Sequence, residues 1–576
     1  MNKPNRWFLL LAGLLSAVMV LAVACGDDDE DDGGTDETPA AGETEPAGSG
    51  DERQDGGEMT VHAQDIESFD PHFSSFAQDI SFFRMVWRGL FTMDAENVPQ
   101  PAMAAEDPEI SADGLTYTIT LRDGLMWSDG DPLTAEDFEY GIKRTCNPVH
   151  AGNYQYVLTN IVGCDAHYAN EAGFDQALED AIGVNAVDDT TLEIKLQNPQ
   201  PTFQIILSLW MTFPAPVHKF SGATSDPWPD GSDPSALAFN GPYMMTEYVS
   251  ADHITLEPNP NWAAPEGISP TLDRLTLRLI DDSAVAVNAF RTGELEFADV
   301  DVTQLETLVA EFGEGEQYFK YPLPSTRGLE YNLADPALSN LNLRLALARA
   351  IDRQEVVDLV TQGANDPTTA WIPEVTSGQG PDTYEDIIGY DEAAAKELYD
   401  QAVAELGGPP NLTITLGDSA VQRAIGEVLQ QQFQEVFGFT LNLDVVDSQT
   451  RSSRFTNEEY QLFWGGWIED YPDMENWIDG QFNTEGSLNH FNCSIPDLDE
   501  TIDSARYNTD EEQRLSLWRE AERIIIENVC GVAPVWVENN HYLISDRVVG
   551  MAENIAGQDA FSPGDWRAEA WGLRAD

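Results

Sequence analysis

Apolar residues recur along this chain at two spacings, and each spacing predicts a different element. Over residues 115–121 apolar and polar side chains alternate, which predicts a half-buried β-strand. Three later stretches repeat apolar residues every three or four positions, as in a helix with one buried face. They contain Leu343, Leu347 and Ile351, then Ala395, Leu398, Ala402 and Leu406, and then Val421, Ile425, Leu429 and Phe433. Strand-like runs at 412–416 and 439–443 follow the last two, and this alternation favours α/β lobes with partly parallel sheets.

Two helices are predicted nearer the N-terminus. One covers about 79–90, after a strand-like run at 59–63. For the other, Thr134 is typical of a helix N-cap and Asp137 occupies the capping-box position. We therefore expect this second helix to begin just after Thr134.

A further apolar run, residues 460–467, ends in a Trp-Gly-Gly-Trp segment and is followed by Asp470. It predicts a buried strand whose two glycines let another backbone or a ligand approach closely. At such a strand end, main-chain groups can pair with an extended peptide, an indole supplies apolar surface, and a carboxylate can face a cation such as an α-ammonium. A plain connection from a strand to a turn accounts for the same residues, so the local pattern leaves both interpretations open.

The first 25 residues have the features of a lipoprotein signal sequence. Lys3 and Arg6 precede an apolar run over 7–23, and a small residue then stands before Cys25. This ending resembles a bacterial lipobox, whose cysteine becomes the lipidated first residue of the mature chain. A transmembrane anchor is the alternative, but the run is short for a membrane span and a dense acidic block follows it. The composition of residues 26–57 predicts a disordered acidic tether.

The charge balance excludes one large class of partners. The chain has 29 basic and 101 acidic residues and a net charge of −72. Binding to nucleic acid or to an anionic membrane surface needs clustered Lys and Arg, so neither is expected. The acids are scattered, which favours a solvated acidic surface, of the kind suited to a saline habitat, over a single cation site. About 520 residues follow the tether, enough for two or three lobes.

Five cysteines are few for this length, and four are left once Cys25 is assigned to the lipobox. An even number in an exported chain predicts two disulfides, and proximity favours Cys146–Cys164 and Cys493–Cys530 among three possible connectivities. Neither CxxC nor HExxH occurs, so no metal site, redox centre or cofactor is expected. GxSxG, Walker and GxGxxG motifs are also absent, which argues against an enzyme.

Several short motifs follow one another in the order found in a known family. They are Asp-Gly-Leu-Thr-Tyr at 113–117, Leu-Arg-Asp-Gly at 121–124, Trp-Ser-Asp-Gly at 127–130, Leu-Thr-Ala-Glu-Asp-Phe at 133–138, Asn-Gly-Pro-Tyr at 240–243, Glu-Pro-Asn-Pro-Asn-Trp at 257–262, Arg-Thr-Gly-Glu-Leu at 291–295 and the helical segment 342–353. In this order they resemble the signature of family 5 extracellular solute-binding proteins, the dipeptide, oligopeptide and nickel receptors of ABC importers. The resemblance covers nearly the whole body after the tether.

The resemblance implies an α/β fold of the type II periplasmic-binding-protein-like kind, with two lobes, an inserted subdomain and a cleft between the lobes. Lobe I would comprise residues 58–84, 218–324 and 541–576, the inserted subdomain residues 85–217, and lobe II residues 325–540. Ligand would bind in the cleft and stabilise the closed arrangement of the lobes about a hinge.

The resemblance also implies a binding site. In the family's oligopeptide receptors a W-x-x-D-Y segment pairs with the ligand backbone and its aspartate binds the ligand's α-ammonium. Here this segment is residues 467–471, which makes Asp470 the expected ammonium partner. The expected ligand-binding residues are Asp470, Trp467, Gly466, Ile468, Trp464, Tyr154, Ser75, Phe76 and Ala77. Trp464 stands where some of these receptors carry arginine, so the way a ligand's carboxylate is held is left open.

Together these features predict an extracytoplasmic lipoprotein, anchored by its N-terminal lipid, that binds peptides as a monomer. It would deliver them to the membrane permease and ATPase subunits of an ABC importer. A receptor for nickel chelates or another small solute, and a signalling lipoprotein of the same fold, are the alternatives.

Overall fold

The described part of the chain begins near the end of the acidic segment. The computed structural model describes residues 53–94, 97–152, 154–220, 222–265, 267–300, 304–552 and 567–575. The predicted signal sequence, Cys25 and nearly all of the predicted tether lie outside these residues.

The strands of the described residues form one large sheet and three small ones. In chain order they are β1 (Glu58–Ala63), β2 (Phe91–Met93), β3 (Pro99–Pro101), β4 (Glu109–Ile110), β5 (Thr116–Thr120), β6 (Val184–Asp188), β7 (Thr191–Lys195), β8 (Tyr243–Val249), β9 (His253–Pro258), β10 (Arg274–Leu279), β11 (Phe297–Asp299), β12 (Tyr318–Tyr331), β13 (Asp366–Pro367), β14 (Thr413–Gly417), β15 (Asn442–Val446), β16 (Leu462–Ile468), β17 (Val532–Ile544), β18 (Val548–Val549) and β19 (Gly572–Leu573).

Helices occupy many of the connections between these strands. They are α1 (Ala77–Val86), α2 (Ala135–Thr145), α3 (Cys164–Tyr168), α4 (Gln176–Glu179), α5 (Phe203–Ile206), α6 (Ser283–Thr292), α7 (Leu305–Phe312), α8 (Leu341–Arg349), α9 (Arg353–Val360), α10 (Glu374–Ser377), α11 (Glu385–Ile388), α12 (Glu392–Leu406), α13 (Ala420–Phe437), α14 (Ser448–Thr456), α15 (Met474–Phe482), α16 (Pro496–Arg506) and α17 (Glu511–Asn528).

Aspartates, which are abundant in this acidic chain, cap the N-termini of several of these helices. An aspartate N-cap accepts a hydrogen bond from a backbone N–H of the first turn, which also places negative charge at the positive end of the helix dipole. The aspartates that do so are Asp175, Asp282, Asp352, Asp391, Asp447, Asp473 and Asp510. At α2 the predicted capping box of Thr134 and Asp137 is formed.

The large sheet has 11 strands in the order β15-β14-β16-β12-β17-β11-β1-β10-β9-β8, with β13 paired to β17. Pairing is parallel where β14 meets β15 and β16 and where β1 meets β10 and β11. The other neighbours are antiparallel. The sheet is therefore mixed, in agreement with the predicted partly parallel pairing.

Buried apolar side chains form two large cores at opposite ends of this sheet. The first draws on residues 59–297 and 542–573, together with Tyr471. The second draws on residues 329–536. The long strands β12 and β17 contribute to both, so they carry the chain from one core to the other.

Two predicted elements end or begin elsewhere in the structure. The helix predicted over 79–90 ends at Val86, where the Trp87 indole donates to Ala238 O and the Asn240 side chain hydrogen-bonds the main chain of Arg88. These contacts fix an extended backbone that competes with the helix.

The strand predicted over 439–443 begins later, at Asn442. Phe439 instead serves as a core side chain in the connection, stacked on Tyr399 and Phe437. Apolar character in this run therefore reflects packing rather than strand pairing.

Both cysteine pairs favoured by sequence proximity are bridged. Cys146 at the end of α2 is joined to Cys164 at the start of α3. Cys493, ahead of α16, is joined to Cys530, which follows α17. The first disulfide lies in the first core and the second disulfide in the second core, and each fixes the adjoining loop there.

Within the described residues, no helix combines the length and the apolar character that crossing a membrane requires.

Candidate functional site

Strand β16 has one edge that is only half covered. Along one side it pairs with β12 from Leu462 to Ile468. On the other side β14 pairs only with Leu462 and Phe463. Beyond Phe463, no described strand covers this second edge. Alternate residues of an antiparallel strand direct both N–H and C=O away from their partner, so this edge offers main-chain groups to an added strand.

The two glycines of β16 allow close approach, as predicted, and the structure identifies what approaches. A Cβ at Gly465 would overlap the Glu330 carboxylate, and one at Gly466 would overlap the Thr326 carbonyl oxygen. Both neighbours belong to β12. The glycines therefore admit β12 and its side chains rather than ligand.

The open edge of β16 borders a cavity of about 430 Å³. Its walls come from the segment before and at the start of α1, from the loop that carries Tyr154, from β12, and from β16 with the following turn. The lining residues are Ser75, Phe76, Ala77, Tyr154, Leu323, Arg327, Gly466, Trp467, Ile468 and Asp470. Phe76 and Ile468 are exposed there, so apolar surface faces the cavity beside the free main-chain edge.

Asp470 is a buried carboxylate whose partners are neutral. Its oxygens accept hydrogen bonds from the Tyr154 hydroxyl at 2.9 Å, the Tyr156 hydroxyl and Asn476 Nδ2 at 2.9 Å. It forms no ion pair with any residue that the structure describes. Burial raises its pKa, although the hydrogen bonds from Asn476, Tyr156 and Tyr154 act in the opposite direction. A cation entering the cavity would therefore stabilise the charged form.

Helix α15 fixes the turn that carries Asp470. Asn476 Oδ1 accepts from the backbone N–H of Asp470 at 2.8 Å and from the Trp467 indole at 3.0 Å. The N-cap of α15 is Asp473, whose carboxylate receives both terminal nitrogens of Arg514. One asparagine thus holds the backbone and the carboxylate of Asp470 and the ring of Trp467 together.

The neighbouring carboxylate, Glu469, faces away from the cavity. It is buried and accepts hydrogen bonds from the Trp477 indole at 2.7 Å and from the Thr376 hydroxyl. Successive residues of an extended chain point to opposite faces, which separates Glu469 from Asp470.

Eight of the nine residues expected to bind ligand lie around this one cavity; Trp464 does not. Trp464 is buried in the second core with its ring 4.9 Å from that of Trp536, and its carbonyl accepts from Arg451. Its position on β16 turns the side chain into the core, so the indole does not replace a cleft residue.

Sequence reasoning missed four contributors to the site: Tyr156, Asn476, Leu323 and Arg327. The repeat of tyrosine at 154 and 156 was a signal for the first, and the place of Asn476 in the first turn of α15 was a signal for the second. Leu323 and Arg327 lie in a strand whose local sequence carries no sign of the site.

One group of described side chains has the geometry of a metal site, and it lies elsewhere. Asp129, Asp131 and His218 are close enough to share an ion. Asp129 already receives the Lys219 ammonium and His218 Nε2, each at 2.9 Å. We assign no metal to this exposed cluster.

Residues 98–489 match the family described as bacterial extracellular solute-binding proteins, family 5, middle. The chain belongs to this family. The membership predicted from the motif order is confirmed, and the family 5 assignment places the protein outside the cytoplasm.

Two relatives of this family 5 chain match it over most of their own length. The oligopeptide-binding protein OppA of Bacillus subtilis (strain 168) is 27% identical over 475 residues, covering 81% of this chain and 85% of that protein. The dipeptide-binding protein DppE of the same organism is 27% identical over 524 residues, covering 88% and 92%.

A solved structure confirms the predicted fold class. Listeria monocytogenes OppA bound to peptide matches with a TM-score of 0.70 at 23% identity, covering 90% of this chain and 99% of that one. This family 5 member therefore has the α/β type II periplasmic-binding-protein fold.

Proposed function

We propose that this protein is the substrate-binding component of an ABC importer, and that it captures oligopeptides in the cavity at the end of β16. It then delivers them to the membrane permease and its ATPase. Relatives named for binding oligopeptides and dipeptides support the substrate class.

One observation carries the proposal: an uncovered strand edge ends at a buried carboxylate that lacks a cation. A peptide can add to the edge through its main chain, and its α-ammonium supplies the missing positive charge. Gly466, Trp467 and Ile468 would pair with the peptide backbone, and Asp470 would bind the ammonium.

Residues on the other walls of the cavity would enclose the bound peptide. Ser75, Phe76 and Ala77 would contact the peptide from the opposite side, and Tyr154 would close over its N-terminus while donating to Asp470. Main-chain pairing recognises any sequence, so affinity would depend weakly on the peptide's side chains.

Closure would occur between the lobes assigned from the sequence, with residues 58–84, 218–324 and 541–576 in lobe I, 85–217 in the inserted subdomain and 325–540 in lobe II. The separate cores support the boundary between lobe II and the rest of the chain, and so does the register shift between Pro322 and Thr326 on β12. The crossings at β12 and β17 would act as the hinge.

Lipidation of Cys25 and the acidic tether would hold the monomeric receptor at the membrane surface, close to the permease. No enzymatic step is needed for this role.

The test is calorimetric titration of tri- to pentapeptides with free and N-acetylated N-termini, on the wild type and on Asp470→Asn. We expect free peptides to bind the wild type at least about tenfold more tightly than acetylated ones, and the variant to lose this difference. The acetylated peptides serve as the matched control, because they retain every main-chain contact beyond the first residue.

A wild type that binds no peptide would contradict the proposal. Binding of a nickel chelate or another small solute instead would favour the alternative receptor class, and failure to bind either would favour a signalling role.

A further inference from the structure

The cavity at the end of β16 contains a cation as well as a carboxylate. Of the described residues that line it, Asp470 carries the one carboxyl group and Arg327 the one guanidinium. Arg327 lies on β12 opposite Gly466. A Cβ at Gly466 would stand 2.7 Å from Arg327 Cδ, so the missing side chain at 466 leaves room for the arginine to reach the cavity.

The Arg327 guanidinium is held along one edge. Its Nε donates to Glu538 Oε2 at 2.9 Å, and the same oxygen accepts from Ser325 Oγ at 2.6 Å. The two terminal nitrogens make no hydrogen bond to any described residue, and the side chain is 27% exposed. A guanidinium fixed in this way presents two parallel N–H donors, the geometry that binds a carboxylate in bidentate fashion.

A second guanidinium lies close to that of Arg327. Arg451 lies near enough to interact with both Arg327 and Glu330. Burial raises the pKa of Glu330 to about 8, against the pull of Arg451 and Arg327. Glu330 is therefore largely protonated at neutral pH, and among the described residues the ion-pair partner of Arg327 is Glu538.

The two charged ends of the cavity are separated by a definite length of chain. From Gly466, opposite Arg327, to Asp470 the backbone advances at most about 13 Å, because β16 ends at Ile468. An extended peptide with this distance between its terminal charges has about four residues. An ammonium at Asp470 and a carboxylate at Arg327 orient that peptide antiparallel to β16.

We propose that Arg327 binds the C-terminal carboxylate of the captured peptide, so that the cavity selects peptides of about four residues with both termini free. This inference rests on the proposed peptide-binding function and deepens it. Arg327 would bind the ligand's carboxylate, a role that the buried Trp464 does not fill.

The test compares Ala-Leu-Ala-Ala as the free acid and as the C-terminal amide, by calorimetry, on the wild type, Arg327→Gln and Arg291→Gln. We expect the wild type to prefer the acid by at least about tenfold. Arg327→Gln should bring the ratio close to one by weakening the acid alone, and unchanged amide affinity would show that this variant is folded. Arg291 is the matched control, because its Nε also donates to a carboxylate at 2.9 Å, that of Glu311, but on α6.

A length series from tri- to pentapeptides sharpens the result, since the preference for the acid should peak near four residues. An acid-to-amide ratio that Arg327→Gln leaves unchanged, or equal weakening of both peptides, overturns the Arg327 assignment while peptide capture stands. Failure of the wild type to bind any acid or amide in the series overturns both proposals.

Discussion

Two buried aspartates in the turn after β16 differ in how their negative charge is balanced. Asp473 has its cation within the protein, because Arg514 donates to its two oxygens at 2.8 and 2.7 Å. Among the described residues, Asp470 receives only neutral donors, from Tyr154, Tyr156 and Asn476. Both side chains are almost fully buried.

This difference separates a structural carboxylate from one available to a ligand. A buried charge is costly unless a counter-charge or several hydrogen bonds offset the lost hydration. At Asp473 the guanidinium of Arg514 compensates for the lost hydration, and the ion pair joins α15 to α17. At Asp470 hydrogen bonds compensate for only part of the lost hydration, and the ammonium of a ligand would supply the rest.

Removal of Arg514 should have the largest effect on stability. In Arg514→Met the Asp473 carboxylate stays buried without its cation, so we expect the free energy of unfolding in urea to fall by about 3–5 kcal/mol. Arg523→Met, on the same helix, is the control; its exposed pairs with Glu520 and Glu527 predict a change within about 1 kcal/mol. Equal losses in the two variants would show that the buried pair has no special role.

Peptide affinity should depend on pH through Asp470. Burial raises the pKa of this carboxyl in the free protein, and a bound ammonium would lower it, so binding releases a proton at pH values below the free protein's pKa. Affinity is then complete above the free protein's pKa and falls by up to about tenfold per pH unit below it, while the peptide's ammonium stays protonated.

Calorimetry between pH 4 and about 7, in buffers of different ionisation enthalpy, measures both the affinity and the proton release. Asp470→Asn should lose this dependence although it retains Glu330 and Glu475, whose pKa values burial also raises. Proton release that persists in the variant would assign the titration to those residues instead.

The two aspartates also show how far sequence reasoning reached. Apolar periodicity predicted α12 and α13, and short apolar runs predicted β14 and β16, because apolar residues of each element lie in a core. The resemblance of residues 467–471 to the family's W-x-x-D-Y segment singled out Asp470, which lines the cavity. Its partner Tyr156 lies 314 residues away in the chain, and Arg327 reaches the cavity only because β12 passes beside Gly466. Such contacts depend on tertiary packing, which local patterns do not record.

Replacing each aspartate by asparagine should distinguish them by stability. Asp470→Asn removes a charge that has no cation but also removes one hydrogen-bond acceptor, so we expect a change in unfolding free energy within about 1 kcal/mol. Asp473→Asn leaves Arg514 buried without its counter-charge and should cost more. Urea unfolding of the two variants side by side gives the comparison, and a larger loss for Asp470→Asn would reverse the assignment of roles.

Glu469→Gln should have the smallest effect and tests whether direct contact or local negative charge binds the ammonium. Glu469 precedes Asp470 but contacts Thr376 and Trp477 on the other face of the chain. A glutamine oxygen can accept the same hydrogen bonds, so we expect peptide affinity by calorimetry to stay within about twofold of the wild type. Glu469→Gln could instead lower peptide affinity as much as Asp470→Asn does. The combined negative charge of the turn, rather than direct contact with Asp470, would then bind the ammonium. An unchanged affinity would instead limit recognition to Asp470, which among the described residues is the one carboxylate that lines the cavity and forms no ion pair.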